Sequence, residues 1–168
     1  ALFSYPQLTL QVQFAIVGIG IADSNDSNVL NNEVTGGEDL YGNIAAARCH
    51  NISIANNILR SSLSYSARIS ECSGISVSNN TVAYSHEIFI NNSETCLVAD
   101  NTVTNVGSNG IEIVTTSKAV VVRNTVLRSG GGIYATYLND SVVEHNVLAN
   151  CSWSGLTLTG TNVTIAGN

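Results

Sequence analysis

Asparagines recur along this chain at a nearly fixed interval, and that interval limits the possible folds more than any other feature. The motif Asn-x-Val/Leu begins at Asn32, Asn57, Asn80, Asn101, Asn124 and Asn146, and Asn168 continues the series. Successive steps are 25, 23, 21, 23, 22 and 22 residues. Self-similarity at such a period, with β-branched residues at fixed offsets, is the signature of a solenoid.

The offsets place three short strands in each repeat. Thirteen residues before the asparagines stand Ile19, Ile44, Ala67, Ile88, Ile111 and Ile133, with Leu156 twelve before Asn168. Two residues later come Ile21, Ala46, Ile69, Ile90, Ile113, Ala135 and Leu158. Alternate strand residues share a face, so each pair points inward. The residues between them, Gly20, Ala45, Arg68, Phe89, Glu112, Tyr134 and Thr157, form a mixed set that belongs outside. A second strand carries Val29, Ile54, Val77, Val98, Val121, Val143 and Ile165 three residues before the asparagine, and a third carries Val34, Leu59, Val82, Val103, Val126 and Leu148 two after it. Three strands per repeat predict a triangular coil, stacked on its neighbours at about 4.8 Å in parallel ladders. Insertions fall in one loop column, between the asparagine and the next first strand.

An asparagine side chain has both donor and acceptor, so it can bond to its copies above and below. In a dry corner this avoids the roughly 1–3 kcal/mol cost of an unpaired amide. Asparagine also tolerates left-handed backbone, and the expectation is that the ladder residue itself takes that conformation at the corner.

The pattern Gly-Ile-x-Ile … Val-x-Val-x-x-Asn-Thr-Val, clearest from Gly110 to Val126, resembles the right-handed parallel β-helix proteins of the pectin-lyase-like superfamily, over about residues 18–168. The resemblance implies an all-β, right-handed parallel β-helix of about seven coils, with roughly 22–23 residues per coil. It says less about activity, because that superfamily includes pectate lyases, polygalacturonases, phage tailspikes, surface adhesins and noncatalytic modules. Residues 1–17 read as a separate N-terminal extended strand, and 18–168 as the solenoid.

Charge narrows the partners. Only 11% of residues are charged and the net charge is −6, which argues against nucleic acid and anionic membranes. No apolar run is long enough for a membrane span, since Gln11, Gln13 and two glycines interrupt Leu8–Ala22. No cofactor is expected, and no Cys/His spacing suggests a metal. Cys49 and Cys72 each lie eight residues before their asparagine in adjacent coils, within disulfide reach. Two buried thiols are the competing reading. Cys96 falls on an inward position and Cys151 in the variable loop.

Seven N-x-Ser/Thr sequons begin at Asn25, Asn51, Asn79, Asn91, Asn139, Asn150 and Asn162, and none is a ladder residue. N-linked glycans and an extracellular or cell-surface location are expected. The alternative is a bacterial surface protein, rich in serine, threonine and asparagine, that is not glycosylated there.

The variable loop column gathers Glu38, Asp39, Tyr41, Arg60, Tyr65, Tyr84, His86, Glu87, Arg128 and Trp153. Tyr41, Tyr65 and Tyr84 come from consecutive coils and read as an aromatic row for sugar stacking, with Glu87 and Trp153 as further contacts, or as tyrosines that cover the loop edge by packing on each other. Glycoside hydrolysis needs two carboxylates about 5–9.5 Å apart. The nearest pair is Glu87 and Glu112, diagonal across adjacent coils at roughly 8 Å. Asp100, Arg123 and His145 stack one residue before the ladder and read as a surface ion pair. No residue is assigned a catalytic role.

The function expected from sequence is a noncatalytic extracellular solenoid, a building block of a surface layer or filament. Leu8, Leu10, Val12, Phe14 and Ile16 alternate outside the repeat register, a strand suited to self-association, either end to end or by exchange through residues 8–16. The alternative to exchange is that this segment folds down as the first, irregular coil. The other functional reading is a carbohydrate-active β-helix that binds, lyses or hydrolyses a polysaccharide.

Overall fold

A computed structural model describes residues 11–13, 18–36 and 42–168, the first three through their backbone. Every element is a β-strand, and they line up in three columns. The first face holds β2 (Ile19–Ala22), β5 (Ile44–Ala47), β8 (Ala67–Ser70), β11 (Ile88–Asn91), β14 (Asn109–Val114), then the start of β17 (Gly131–Glu144) and of β19 (Leu156–Ala166). The second holds β3 (Asn28–Leu30), β6 (His50–Ala55), β9 (Ser73–Ser78), β12 (Glu94–Ala99), β15 (Val120–Val122) and the later parts of β17 and β19. The third holds β1 (Gln11–Gln13), β4 (Glu33–Thr35), β7 (Ile58–Arg60), β10 (Thr81–Ala83), β13 (Thr102–Thr104), β16 (Thr125–Leu127) and β18 (Val147–Ala149).

All pairings are parallel, and the repeat offsets read from sequence are the pairing registers: Ile88 lies between Ala67 and Ile111, and Val103 between Val82 and Val126. From Ile19 to Leu156 the chain makes about six turns. The fourteen-residue β17 runs on around the corner, so the first two faces join into one twelve-stranded sheet while the third stays separate.

Inward residues of all three faces make a single core. Ile44, Ile54, Ile69, Val82, Ile90, Val103, Ile111 and Val126 have no exposed surface. Each such burial contributes about 1.5–3 kcal/mol. The last strand, β19, is exposed or half-buried along its length, and Ile165 is half exposed.

The asparagines form a closed hydrogen-bond chain at the corner between the second and third faces. Nδ2 of Asn32, Asn57, Asn80, Asn101, Asn124 and Asn146 donates to Oδ1 of the next asparagine at 2.8–3.0 Å. That Oδ1 also accepts the backbone N–H of the same donor residue. From Asn57 onward, Nδ2 also donates back to a carbonyl of the preceding coil, Val29 O for Asn57 and Val77 O for Asn101.

The left-handed residue is not the ladder asparagine but the one before it. Asn31, Asn56, Asn79, Asp100, Arg123, His145 and Gly167 have φ between 54° and 62°. The turn is completed just ahead of the ladder, so the buried amide sits on ordinary backbone and its identity is set by hydrogen bonding alone. Three other left-handed columns mark the remaining bends, including Asp23–Arg48–Glu71 after the first face and Asp26–Asn51–Gly74 before the second.

Two further expectations need correction. Cys49 and Cys72 stack as anticipated, but they are thiols. The Cys49 N–H donates to Cys72 Sγ at 3.3 Å, and each sulfur sits 3.1–3.2 Å from the carbonyl two residues earlier. Stacked side chains point in parallel rather than toward each other, which is why the ladder position does not close a bond. Ser93 occupies the same position one coil on, accepting the Cys72 N–H, so a small bonding side chain is what this bend requires. Burial pushes the Cys72 thiol up, and Cys96, deeper in the core, up to about 12.

The N-terminal segment is not wholly outside the register either. Val12 pairs with Val34, making Gln11–Gln13 the first strand of the third face. Leu8, Leu10, Phe14 and Ile16 lie outside the described residues.

Candidate functional site

The outer side of the first face carries a row of chemically mixed side chains. Strand alternation turns Ala45, Arg68, Phe89, Glu112, Tyr134 and Thr157 outward, and the parallel registers set them side by side, one per coil. Spacing of about 4.8 Å per coil gives roughly 14 Å from Arg68 to Tyr134.

Arg68, Phe89 and Glu112 are each held by a neighbour. Tyr65, two residues before β8, lays its ring against Phe89 with centroids 5.0 Å apart and planes tilted by 32°. The Arg68 guanidinium stands 5.6 Å from the Tyr65 ring centre, a cation–π contact. Glu112 Oε2 accepts from Asn109 Nδ2 at 2.9 Å. Beyond Arg68 the outward residues shrink to alanine, and a cleft of about 230 Å³ opens, lined by Ala45, Ala47, Arg48, Arg68, Ser70 and Glu71. Ser70 Oγ and Asn91 Oδ1, adjacent in register, are buried without a hydrogen-bond partner.

The loop residues singled out from sequence are dispersed. Tyr65 belongs to the strip. Tyr84 is 71% exposed at the left-handed bend after β10, in the column of Ser61 and Asn105, and makes no row with Tyr65. Tyr41, Glu38 and Asp39 lie outside the described residues. Trp153 is 70% exposed, its backbone N–H donating to Gly130 O at 2.7 Å and its ring over Gly130.

Glu87 does not share the outer surface with Glu112. It is buried at the loop corner and accepts from the Ser108 hydroxyl. The position just before the first strand turns inward, as its neighbour Gly110 shows: a Cβ there would stand 2.3 Å from Val126 Cγ1. Simple alternation fails where the chain is bending into the strand, so the two carboxylates are not a facing pair.

Other charged groups form corner ion pairs. Arg48 binds Asp23 through two hydrogen bonds of 2.6 and 2.8 Å, and Arg123 binds Asp100 through two of 2.8 Å. Lys118 reaches Glu94 at 2.7 Å. Hydrogen bonding from the cation holds all three carboxyls below their ordinary range, against a smaller opposing effect of desolvation. His145 Nδ1 lies 3.9 Å from Glu144, outside the Asp100–Arg123 pair. His50 Nδ1 meets Ser73 Oγ at 2.6 Å, but the acid next in that column, Glu94, lies beyond the serine and is bound to Lys118. An acid–imidazole–hydroxyl relay needs a different order. Among the described residues no group of three His, Cys, Asp or Glu could hold a metal ion.

Arg68, Phe89 and Tyr134 were legible as an outer column, yet nothing in the sequence marked that column as a site. The signal was their shared register with Glu112.

A family model described as a right-handed β-helix region matches residues 17–168. No sequence among the curated proteins matches the chain. Among solved structures it is similar to the periplasmic alginate epimerase AlgG, with TM-score 0.72, 15% identity, and coverage of 92% of this chain and 42% of that one. It is also similar to the enzymatically active domain of tailspike protein 2 from bacteriophage CBA120, with TM-score 0.57, 14% identity, and coverage of 88% and 28%. The chain therefore spans less than half the length of either neighbour, and the likeness is one of fold.

Proposed function

Because the chain belongs to the right-handed β-helix family, we propose that it is an extracellular glycan-binding solenoid which holds a polysaccharide along the outer side of its first face. The observation that carries this reading is the in-register strip Arg68–Phe89–Glu112–Tyr134, with Tyr65 packed at its edge. Aromatic faces stack on the apolar C–H faces of sugar rings, while the intervening Glu112 offers a hydrogen-bond acceptor to hydroxyls. Three coil spacings, roughly 14 Å, suit a few sugar units laid along the solenoid axis. One structural neighbour is named for alginate, which favours a carbohydrate ligand over a purely structural role.

Binding without catalysis is the form the strip supports. Glu112 is held by Asn109 on the strip, and Glu87 is turned under the corner. Assembly into a layer or filament is a separate property that depends on the strand at Gln11–Gln13. The test is a titration of a panel of oligosaccharides against the protein and its Phe89→Ala and Tyr134→Ala variants. Each variant should bind about tenfold or more weakly, a change of about 1.4 kcal/mol. Unchanged affinity in both, with folding intact, overturns the reading.

A further inference from the structure

We infer that Trp153 is a second stacking platform for the glycan, set at the loop corner beside the Tyr134 end of the strip and taking a neutral hexose unit. The inference rests on the glycan reading above and adds a position that the strip does not contain.

Placement of the indole is the first argument. Trp153 is the chain's one tryptophan, and it stands 70% exposed in the loop between β18 and β19. It is nevertheless held in place. Its backbone N–H donates to Gly130 O at 2.7 Å and the Ser152 N–H to Ser129 O at 3.0 Å, so the loop is stacked on the coil before it. The ring lies over a glycine: a Cβ on Gly130 would stand 3.0 Å from Cη2 of Trp153 and 2.4 Å from Gly107 O. An edge of the six-membered ring therefore meets backbone while most of the side chain stays open, a posture suited to an aromatic surface that a sugar ring covers.

Continuity with the strip is the second argument. Thr157 follows Tyr134 in the outer column of the first face, and its hydroxyl donates to Ser154 Oγ at 3.1 Å, which fastens the residue after Trp153 to the strip's own column. Gly130 lies four residues before Tyr134, so at most about 13 Å of chain separates the indole's support from the Tyr134 position. The chemistry of the rim supplies the third argument. No Asp, Glu, Lys or Arg occurs from Ser129 to Asn139 or from Asn150 to Asn168. Arg128 bonds Asn105, and Glu87 accepts from Ser108, so one cation and one carboxylate border the corner and leave it without net charge. Next to Trp153 the exposed residues are Ser152, Ser154 and Gly155. An indole framed by hydroxyls fits a neutral sugar, whose C–H face covers the ring while its own hydroxyls reach serine and the indole N–H. A protein partner calls for a contiguous apolar patch, which these neighbours do not form.

The experiment uses the whole chain, with its single tryptophan as the reporter, and three probes of equal length: a cello-oligosaccharide, a neutral galacto-oligosaccharide and an oligogalacturonate. At least one neutral probe should shift the tryptophan emission to the blue and lower its quenching by acrylamide. Trp153→Ala should weaken that probe about tenfold, and Trp153→Tyr, which keeps a smaller ring, by less. Because the side chain is exposed, both variants should keep the unfolding midpoint of the wild type. Unchanged affinity in Trp153→Ala overturns the platform, whatever the emission does, and leaves the strip, which Phe89→Ala and Tyr134→Ala test on their own. If Trp153→Ala weakens binding and those two variants do not, the platform stands and the strip reading falls. Tighter binding of the oligogalacturonate than of both neutral probes overturns the neutral assignment. A blue shift that grows with protein concentration in the absence of sugar assigns the indole to a second copy of the chain and overturns its assignment to a glycan. Binding of none of the probes overturns both readings.

Discussion

Asn101 donates two hydrogen bonds to a single atom, Asn124 Oδ1, from its backbone N–H at 3.0 Å and its Nδ2 at 2.9 Å. Its own Oδ1 accepts the equivalent pair from Asn80, and its Nδ2 also bonds Val77 O, so one side chain ties three coils together. Asn101→Leu removes the acceptor for both Asn80 donors and leaves Asn124 Oδ1 and Val77 O short of a donor. With all of these buried, the expected loss is about 2–4 kcal/mol in denaturant unfolding. A loss below about 0.5 kcal/mol would mean that water satisfies this corner.

The bends themselves predict an opposite effect. Thr115 is β-branched, exposed, and held at φ 51°. That conformation costs an L-residue roughly 1–2 kcal/mol, and more when Cβ is branched. Glycine pays about 0.5–1 kcal/mol in unfolded-state entropy. Thr115→Gly should therefore stabilise the protein, by about 0.5–1 kcal/mol in urea titration. Destabilisation would show that Thr115 makes a contact worth more than its backbone strain.

The fold was legible because a solenoid writes its register as a period: Ile88, Ile111 and Ile133 recur at the asparagine's own interval and are paired strand to strand. The bends were not legible in the same way. Asn56, Asp100, Arg123 and Tyr137 all sit at positive φ, and no shared residue type announces them, because stacking against the coils above and below enforces a conformation that local propensity does not choose. The same limit hid the candidate site. Alternation correctly placed Arg68 and Phe89 outside, but it failed for Glu87, where the chain is turning. It also could not say that Tyr84 precedes the loop and Tyr65 follows it, on different sides of the corner.

The three corner carboxylates give the protein an acid-sensitive component of stability. Hydrogen bonds from Arg48, Lys118 and Arg123 hold Asp23, Glu94 and Asp100 below their unfolded values of 3.8, 4.5 and 3.8. The unfolded chain then binds more protons between the two sets of values, so stability rises with pH there. Their contribution is complete above the unfolded values and is lost as pH falls through the folded ones. All three pairs are exposed, so the effect is small and screened by salt. Asp100→Asn should flatten the fall in denaturation midpoint between neutral pH and acid. An identical slope in wild type and variant would show the Arg123 pair to be without energetic consequence.

Glycan attachment separates the sequons by geometry. Asn51, Asn79, Asn150 and Asn162 stand exposed at left-handed bends, whereas Asn91 has its Oδ1 buried on the first face. Expression in a secretory host followed by glycopeptide mass spectrometry should find sugar at members of the first group and none at Asn91. A glycan on Asn91 would place a branched chain across the strip and contradict its assignment as a binding surface.

Whether the N-terminal strand belongs to its own molecule or to a neighbour is the remaining question about assembly. Gln11–Gln13 pairs in parallel with Glu33–Thr35, setting Val12 beside Val34, whose side chain is fully buried. This is the same third-face register that β4 shares with β7, so the strand continues the ladder of its own chain. If that pairing is intramolecular in solution, deleting residues 1–16 removes one edge partner from β4. Hydrogen exchange should then speed up at Glu33–Thr35 and Asn28–Leu30 while the coils from Ile88 onward keep their protection, since each coil bonds only to its neighbours. Sedimentation should show the same oligomeric state before and after deletion. The exchange reading makes the opposite demand: the intact chain forms concentration-dependent assemblies, and the truncated one remains a monomer with the first coil unchanged. Val12→Lys distinguishes the two without shortening the chain, because a charge placed on the third face's first strand should loosen β4 in the first case and dissolve assemblies in the second.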